Sequence, residues 1–338
     1  MQIILLSGGS GKRLWPLSTD VRSKQFIKLL KAEDGCGEML SMVQRVYAQI
    51  REAQPNAQIT IGTNESQVNI IKEQLGEDVG IVLEPERRDT FPAIALACAY
   101  LSSEKNVNNN ETVVVLPCDP YTEVNFFKTL SNLDKIISSD KADIALIGIK
   151  PTLPTSKYGY IVPGQEIESG ANNVSRFVEK PSEEIAAKLI KDEGAYWNGG
   201  VFAFKLSYVI DIVKSNLQFS NFKELYSKYG ELEKISFDYK VVEKAKSIAV
   251  VPFSGKWTDI GTWRTLADEM PYNVLGNVIQ EKNDNTFIIN ELDIPIIVLG
   301  AKNLVIAVSP DGILVSEFNE STNLKLYVEK LAKPKNPK

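Results

Sequence analysis

Apolar positions in the first 150 residues fall into short runs separated by longer mixed stretches. The runs are QIILL at 2–6, AQITIG at 57–62, GIVLE at 80–84, TVVVLP at 112–117 and DIALIGI at 143–149. Each is rich in Val and Ile and bounded by polar residues, the pattern of strands buried on both faces of a parallel sheet. The stretches between them carry helical spacing and predict helices near 39–52, 64–75, 91–104 and 123–139. Alternation of this kind predicts an α/β architecture with helices covering a mostly parallel sheet.

Beyond residue 150 the pattern becomes mixed. YGYIV at 158–162, SRFVEKP at 175–181, WNGGVFAF at 197–204 and a run at 248–252 read as strands, with helices near 182–191, 206–216 and 236–246 and the segment WTDIGTW at 257–263. From Tyr272 the helical spacing stops. FIIN, IPIIVLG, LVIAVS and GILVSE then recur to about Glu317, predicting a small β domain with a coiled or helical path. The expected division is residues 1–271, 272–330 and a frayed tail at 331–338.

Composition narrows the chemistry. The 338 residues, 43% hydrophobic, suffice for one large domain and a smaller one, and a net charge of −5 supplies no basic footprint for nucleic acid. Histidine is absent, which excludes His-based triads and His-ligated metals. The three cysteines are widely spaced, so neither a zinc site nor a disulfide framework is expected. The N-terminal apolar run ends after six residues in a glycine cluster, unlike a signal peptide, and no stretch reaches the roughly 20 apolar residues of a membrane span. A cytoplasmic protein is expected. Its chemistry must rest on carboxylates, Lys, Arg and backbone dipoles.

That chemistry has an obvious candidate. LLSGGSGKRLWPL follows the first strand directly, where an α/β fold binds nucleotides. Gly8, Gly9 and Gly11 allow close approach of backbone N–H groups to phosphate oxygens, and Lys12 and Arg13 add positive charge. A Walker A loop needs Ser or Thr where Arg13 stands, and a dinucleotide fingerprint needs glycine where Leu14 stands. Neither pattern applies.

GGSGKRLWPLS followed by Lys24-Gln25-Phe26 resembles the signature of the sugar nucleotide pyrophosphorylases, especially the mannose-1-phosphate guanylyltransferases. The resemblance continues in order through EPERRDTFPA at 84–93, PCDPY at 117–121, KYGYI at 157–161, FVEKP at 177–181, WNGGVF at 197–202, FDYKVVEK at 237–244 and WTDIGTW at 257–263. It implies a Rossmann-like, three-layer (GT-A-like) nucleotidyltransferase domain with a short left-handed β-helix at the C-terminal end. The implied reaction is GTP plus mannose-1-phosphate giving GDP-mannose and pyrophosphate, by in-line attack at the α-phosphorus. An ionised phosphate is the nucleophile, so a histidine-free chain suffices; alignment and relief of charge repulsion are what the site must supply.

By the same resemblance, Asp119 and Asp259 hold Mg²⁺, and Arg13 and Lys24 grip the leaving pyrophosphate. Gly8, Gly9, Gly11, Lys12, Glu84, Arg88 and Thr90 bind the nucleotide, and Gly159, Glu179, Lys180 and Asn198 the sugar phosphate. Glu84 favours guanine, because a carboxylate matches the paired N1–H and N2–H donors whereas thymine offers one. Read alone, Glu84 is equally a surface residue before a proline. The chain departs from the family where Lys12 replaces Thr, Asp89 replaces Asn, Gly199 replaces Ser, and Cys118-Asp119-Pro120 replaces A-D-H. Alternatives are a dTDP- or UDP-glucose-type transferase or a non-catalytic, sugar-nucleotide-binding paralogue. A homodimer is compatible with the resemblance, with no nucleic-acid or membrane partner. A C-terminal isomerase activity is not expected.

Overall fold

A computed structural model describes residues 1–9, 12–31, 38–168 and 170–331. Its centre is a nine-stranded sheet of β1 (Gln2–Leu6), β2 (Gln58–Asn64), β3 (Gly80–Glu84), β4 (Thr112–Pro117), β5 (Ile144–Ile149), β6 (Tyr160–Glu168), β7 (Ala171–Val178), β8 (Tyr196–Lys205) and β9 (Ile248–Phe253). The spatial order is β3-β2-β1-β4-β8-β5-β9-β7-β6. All strands but β7 and β8 run one way, so the sheet is mostly parallel as expected. The exception at the centre is WNGGVFAF, which enters antiparallel between β4 and β5.

The helices that form the outer layers are α1 (Met42–Ala53), α2 (Val68–Leu75), α3 (Thr90–Ser103), α4 (Val124–Lys128), α5 (Leu130–Ser138), α6 (Glu183–Glu193) and α7 (Leu206–Lys214). Ser41 starts α1 with a reciprocal capping box to Gln44, satisfying two otherwise orphaned donors. Alternate strand residues serve opposite layers. Ile3 and Leu5 pack with Val43 and Val46 of α1, while Ile4 packs with Ile94 of α3. Because both faces are covered, the central strands are continuously apolar.

β1 connects outward through α1 and α2 to β2 and β3, and α3 then returns the chain to β4 on the other side of β1. The loops after β1 and β4 therefore diverge from one crevice, the topological switch point where such sheets bind ligands. Both the glycine-rich segment and Asp119 sit there.

Two helical expectations needed correction. Residues 236–246 form not one helix but a single turn, α9 (Phe237–Lys240), after α8 (Phe222–Ser227), followed by a separate 3₁₀ turn at Val242–Lys244. Helices also do not stop at Tyr272. After α10 (Trp263–Glu269), α11 (Leu324–Leu331) closes the described chain, with only Leu324 buried. Such a small apolar anchor gives little periodic signal.

The C-terminal strands are β10 (Val274–Leu275), β11 (Val278–Glu281), β12 (Phe287–Asn290), β13 (Ile296–Leu299), β14 (Leu304–Ser309) and β15 (Gly312–Glu317). Val278 pairs in parallel with Ile296, Asp284 with Lys302 and Phe287 with Val305, each partner the same distance further along the chain. These are stacked coils, closed by the antiparallel hairpin β14–β15. The coils are fastened to the segment after the glycine loop. Leu14 and Leu17 share a buried cluster with Trp263, Phe287, Val305, Leu314 and Leu324, Arg22 donates to both carboxylate oxygens of Glu291 at 2.8 and 2.6 Å, and Ser309 Oγ donates to the Pro16 carbonyl at 2.8 Å. Gly312 lies so close to the Trp15 ring, with φ of 149°, that no side chain fits there.

Candidate active site

Buried polar residues hold the glycine segment in place. Thr63 and Ser7 hydroxyls donate to Gln67 Oε1 at 2.8 and 3.2 Å, Gln67 Nε2 donates to Ser23 Oγ at 2.8 Å, and Ser23 Oγ donates to the Gly9 carbonyl at 3.2 Å. Gln25 Nε2 completes the network by donating to Ser7 Oγ at 3.0 Å. Ser7, Ser23 and Gln67 are all fully buried. A satisfied buried network of this kind fixes geometry. It ties the loop after β1 to the segment carrying Lys24. Gln25 falls in the Lys24-Gln25-Phe26 block and Ser7 at the start of the glycine loop, but Ser23 and Gln67 have no counterpart in the sequence motifs, because buried polar residues carry no periodic signature.

The two distant aspartates meet through a short antiparallel ladder. Residues Pro120–Thr122 pair with Trp257–Asp259, and Asp259 stands opposite Pro120, next to Asp119. The Pro120 departure therefore sits within this ladder. Lys24 Nζ lies between the carboxylates, 2.8 Å from Asp119 Oδ2 and 3.1 Å from Asp259 Oδ1, and also donates to the Ile260 carbonyl at 2.9 Å. Burial alone would lower the Lys24 pKa, but the two aspartates outweigh it and hold the ammonium well above its ordinary value. The ammonium marks the point on which both carboxylates converge. Arg13 borders the same place across Gly261, beside Asp259.

Two cavities meet at Asp119. One, of about 260 Å³, is lined by Gly8, Gly9, Lys12, Arg13, Lys24 and Asp119, with Gly261, Leu14 and Lys325. The other, of about 390 Å³, shares Gly8, Gly9 and Asp119 and continues over Leu6, Ala93 and Phe202 to Glu84, Arg88, Thr90 and Asp238. A cationic chamber thus opens into a larger, mostly apolar one. Gly11 lies outside the described residues.

On the wall of the larger cavity, Glu84 accepts a hydrogen bond from Tyr229 Oη at 2.8 Å through Oε2. Burial raises the Glu84 pKa, opposed by that hydroxyl and by Arg87. Arg88 spends its donors internally: Nε and Nη2 reach the Leu232 carbonyl at 3.1 and 3.0 Å, and Nη1 reaches Glu86 at 2.9 Å. Thr90 Oγ1 accepts from the Phe237 amide at 2.8 Å. Arg88 and Thr90 line the cavity and also clamp the segment around Leu232–Phe237 to α3.

Gly159, Glu179, Lys180 and Asn198 come together beside it. The Asn198 amide donates to the Gly159 carbonyl at 2.8 Å, and Glu179 pairs with Lys180 at 2.7 Å. Glu179 lies against Gly159 so closely that a side chain at 159 would displace it. Asn198 Nδ2 donates to Asp238 Oδ1 at 2.7 Å, and Asp238 carries the cluster to the cavity wall. The sequence reading named the FDYKVVEK block but not Asp238 itself. Burial first, then the Glu179 charge, pushes its carboxyl up to about 6, against the opposing Asn198 hydrogen bond. Raised carboxyl pKa values in a cavity wall mark functional candidates.

A Rossmann-like sheet with a cationic chamber and paired aspartates at its switch point defines a nucleotide-handling α/β protein. Residues 2–273 match the nucleotidyl transferase family, and the chain belongs to it. Its relatives include mannose-1-phosphate guanylyltransferases from Escherichia coli and Salmonella montevideo, each 32% identical over 97% of this chain and covering 75% and 73% of their own lengths. Among solved structures, a Thermus thermophilus protein described as a mannose-1-phosphate geranyltransferase superposes with a TM-score of 0.77 at 27% identity, covering 98% of this chain and 99% of its own. No described helix is long and apolar enough to cross a membrane.

Proposed function

We propose that this chain transfers a guanylyl group from GTP to mannose-1-phosphate. The observation that carries this reading is the convergence of Asp119, Asp259 and Lys24 at the junction of a cationic chamber and a larger apolar one. The α-phosphorus would lie at that junction, the β- and γ-phosphates in the smaller chamber, and the guanosine and sugar in the larger. A phosphate oxygen of the sugar-1-phosphate attacks the α-phosphorus, the bond to the bridging oxygen breaks, and pyrophosphate leaves with the electron pair. Arg13 and Lys12 neutralise the leaving group, and Lys24, whose three donors Asp119, Asp259 and the Ile260 carbonyl otherwise hold, would turn to phosphate oxygens once a divalent cation takes up the two carboxylates.

Asp119 and Asp259 are suited to a hard divalent cation, Mg²⁺ here, because they already converge on one positive charge. Among the described residues no group of three or more Asp, Glu, Cys or His side chains forms a closed metal site. Two carboxylates are what such an ion takes from a protein when phosphates and water complete its shell. When bound, it would shield the repulsion between the two phosphate anions.

Glu84 is assigned to the base. Tyr229 Oη takes one lone pair of Glu84 Oε2, and the remaining lone pairs of the carboxylate would accept the paired guanine N1–H and N2–H. Glu179, Lys180, Asn198 and Gly159 are assigned to the sugar phosphate side, through Asp238. The catalytic unit is taken as residues 1–271 and the coiled unit as 272–330, wound left-handed. The expected setting is the cytoplasm, and a homodimer is compatible with the family resemblance.

The test is pyrophosphate release by purified protein with Mg²⁺, each nucleoside triphosphate in turn, and mannose- or glucose-1-phosphate. GTP with mannose-1-phosphate is expected to be the fastest pair. A preference for dTTP or UTP with glucose-1-phosphate overturns the base and sugar assignment, and no release with any pair favours a non-catalytic sugar-nucleotide binder.

A further inference from the structure

The smaller chamber is not closed by the sheet domain alone. Its wall includes Lys325, from the first turn of α11, about 300 residues beyond the glycine segment in the chain. The helix reaches this position because Leu324 is buried in the same cluster as Leu14, the last residue of the 3₁₀ turn Lys12–Leu14 that carries Lys12 and Arg13. Lys325 is thereby placed beside two cations that no local sequence pattern associates with it.

Charge in the chamber favours a role for it. Lys24 is neutralised by Asp119 and Asp259, whereas Lys12 and Arg13 have no ion pair among the described residues. Among the described residues Lys325 makes only a loose, exposed contact with Glu329 at 3.9 Å, one helical turn on, which costs little to give up. A pyrophosphate group brings several negative charges, more than the two positive charges of Lys12 and Arg13 balance. We propose that Lys325 is a further binding residue for the β- and γ-phosphates and for the released pyrophosphate, so that the C-terminal unit supplies part of the nucleotide site. This rests on the reading above, in which the cationic chamber holds those phosphates.

The experiment is calorimetric titration of the full chain and of Lys325→Gln with inorganic pyrophosphate and Mg²⁺, alongside steady-state kinetics. Lys325→Gln is expected to bind pyrophosphate about 3- to 10-fold more weakly at low ionic strength, the range of one partly exposed charge-assisted contact. The difference should shrink as salt rises. Kinetically, KM for the nucleoside triphosphate should rise by a similar factor, with KM for the sugar-1-phosphate and the thermal midpoint unchanged. Lys325→Arg should restore most of the loss, and Lys282→Gln, at an exposed lysine on the coils, should change nothing. Pyrophosphate affinity within twofold of the parent, or an equal loss in Lys282→Gln, overturns the assignment. A parent chain that binds pyrophosphate but turns over no sugar phosphate would refute the transferase reading while leaving this one standing.

Discussion

Asp238 offers the sharpest test of the site, because its carboxylate is held at a cost to the fold. Its pKa rises from 3.8 to about 6 through burial and the nearby Glu179 charge. At about 1.4 kcal/mol per pKa unit, ionising it in the folded state costs about 3 kcal/mol relative to the unfolded chain. Partial solvent access makes about 2 kcal/mol the better expectation. The sign follows from proton binding. Between pH 4 and 6 the folded state holds the proton more tightly than the unfolded state, so stability falls as pH rises through that window. Asp238→Asn removes the charge and keeps the oxygen that accepts from Asn198 Nδ2. The variant should therefore be more stable than the parent at pH 8, by roughly 3 °C in thermal midpoint for a protein of this size. The advantage should narrow through pH 6 and vanish near pH 4. At pH 8 the same variant should show a raised KM for the sugar-1-phosphate, the trade of stability for function common at binding sites. The assay is thermal unfolding of both proteins from pH 4 to 8, with kinetics at pH 8. A variant less stable than the parent at pH 8, or a difference that does not change with pH, would refute the reasoning.

Arg13→Ala should lower kcat by a factor of about 10² or more while leaving unfolding unchanged, since the side chain is exposed; full activity would remove it from the transition state. Lys24→Met should lower kcat by about 10² or more and, without substrate, bind Mn²⁺ more tightly than the parent by electron spin resonance, because Asp119 and Asp259 lose their counter-ion. Weaker Mn²⁺ binding would contradict the shared site. Glu84→Gln should reduce the preference for GTP over dTTP by about tenfold or more in competition assays, the worth of one buried hydrogen bond to a charged acceptor. Gly312→Leu should destabilise the chain by a few kcal/mol in urea unfolding, since the added side chain meets the Trp15 ring and a backbone at φ 149°.

Much of the candidate site was legible in the sequence. The loop after β1, Asp119 after β4 and Glu84 at the end of β3 all fall at strand ends, which hydrophobic runs locate directly. The ordered motif blocks likewise pointed to Lys24, Asp259 and the Gly159, Glu179, Lys180 and Asn198 group, which the fold gathers into two neighbouring clusters. Other parts were not legible. Asp238 lies in a single helical turn that the apolar pattern had merged into a longer helix. Ser7, Ser23 and Gln67 are buried polar residues whose value lies entirely in their mutual hydrogen bonds. The coils of the C-terminal unit repeat in backbone pairing but not in side-chain identity: Asp284 stands beside Lys302. A β coil needs only inward apolar residues and permissive turns, so its period is written weakly.

By itself the sequence determined the α/β class, the position of the glycine-rich loop, the histidine-free composition and the residue types at the ends of the strands. Those are local properties, set by side-chain periodicity and by the few residues that tolerate a tight turn. The tertiary structure alone decided that β8 enters the centre of the sheet antiparallel. It also decided that a two-stranded ladder sets Asp259 opposite Pro120 and so beside Asp119, with Lys24 between the two carboxylates, and that α11 brings Lys325 to the chamber of Lys12 and Arg13. Each of these joins residues far apart in the chain. Such contacts depend on the packing of a shared core and on pairing register, which no stretch of sequence specifies alone.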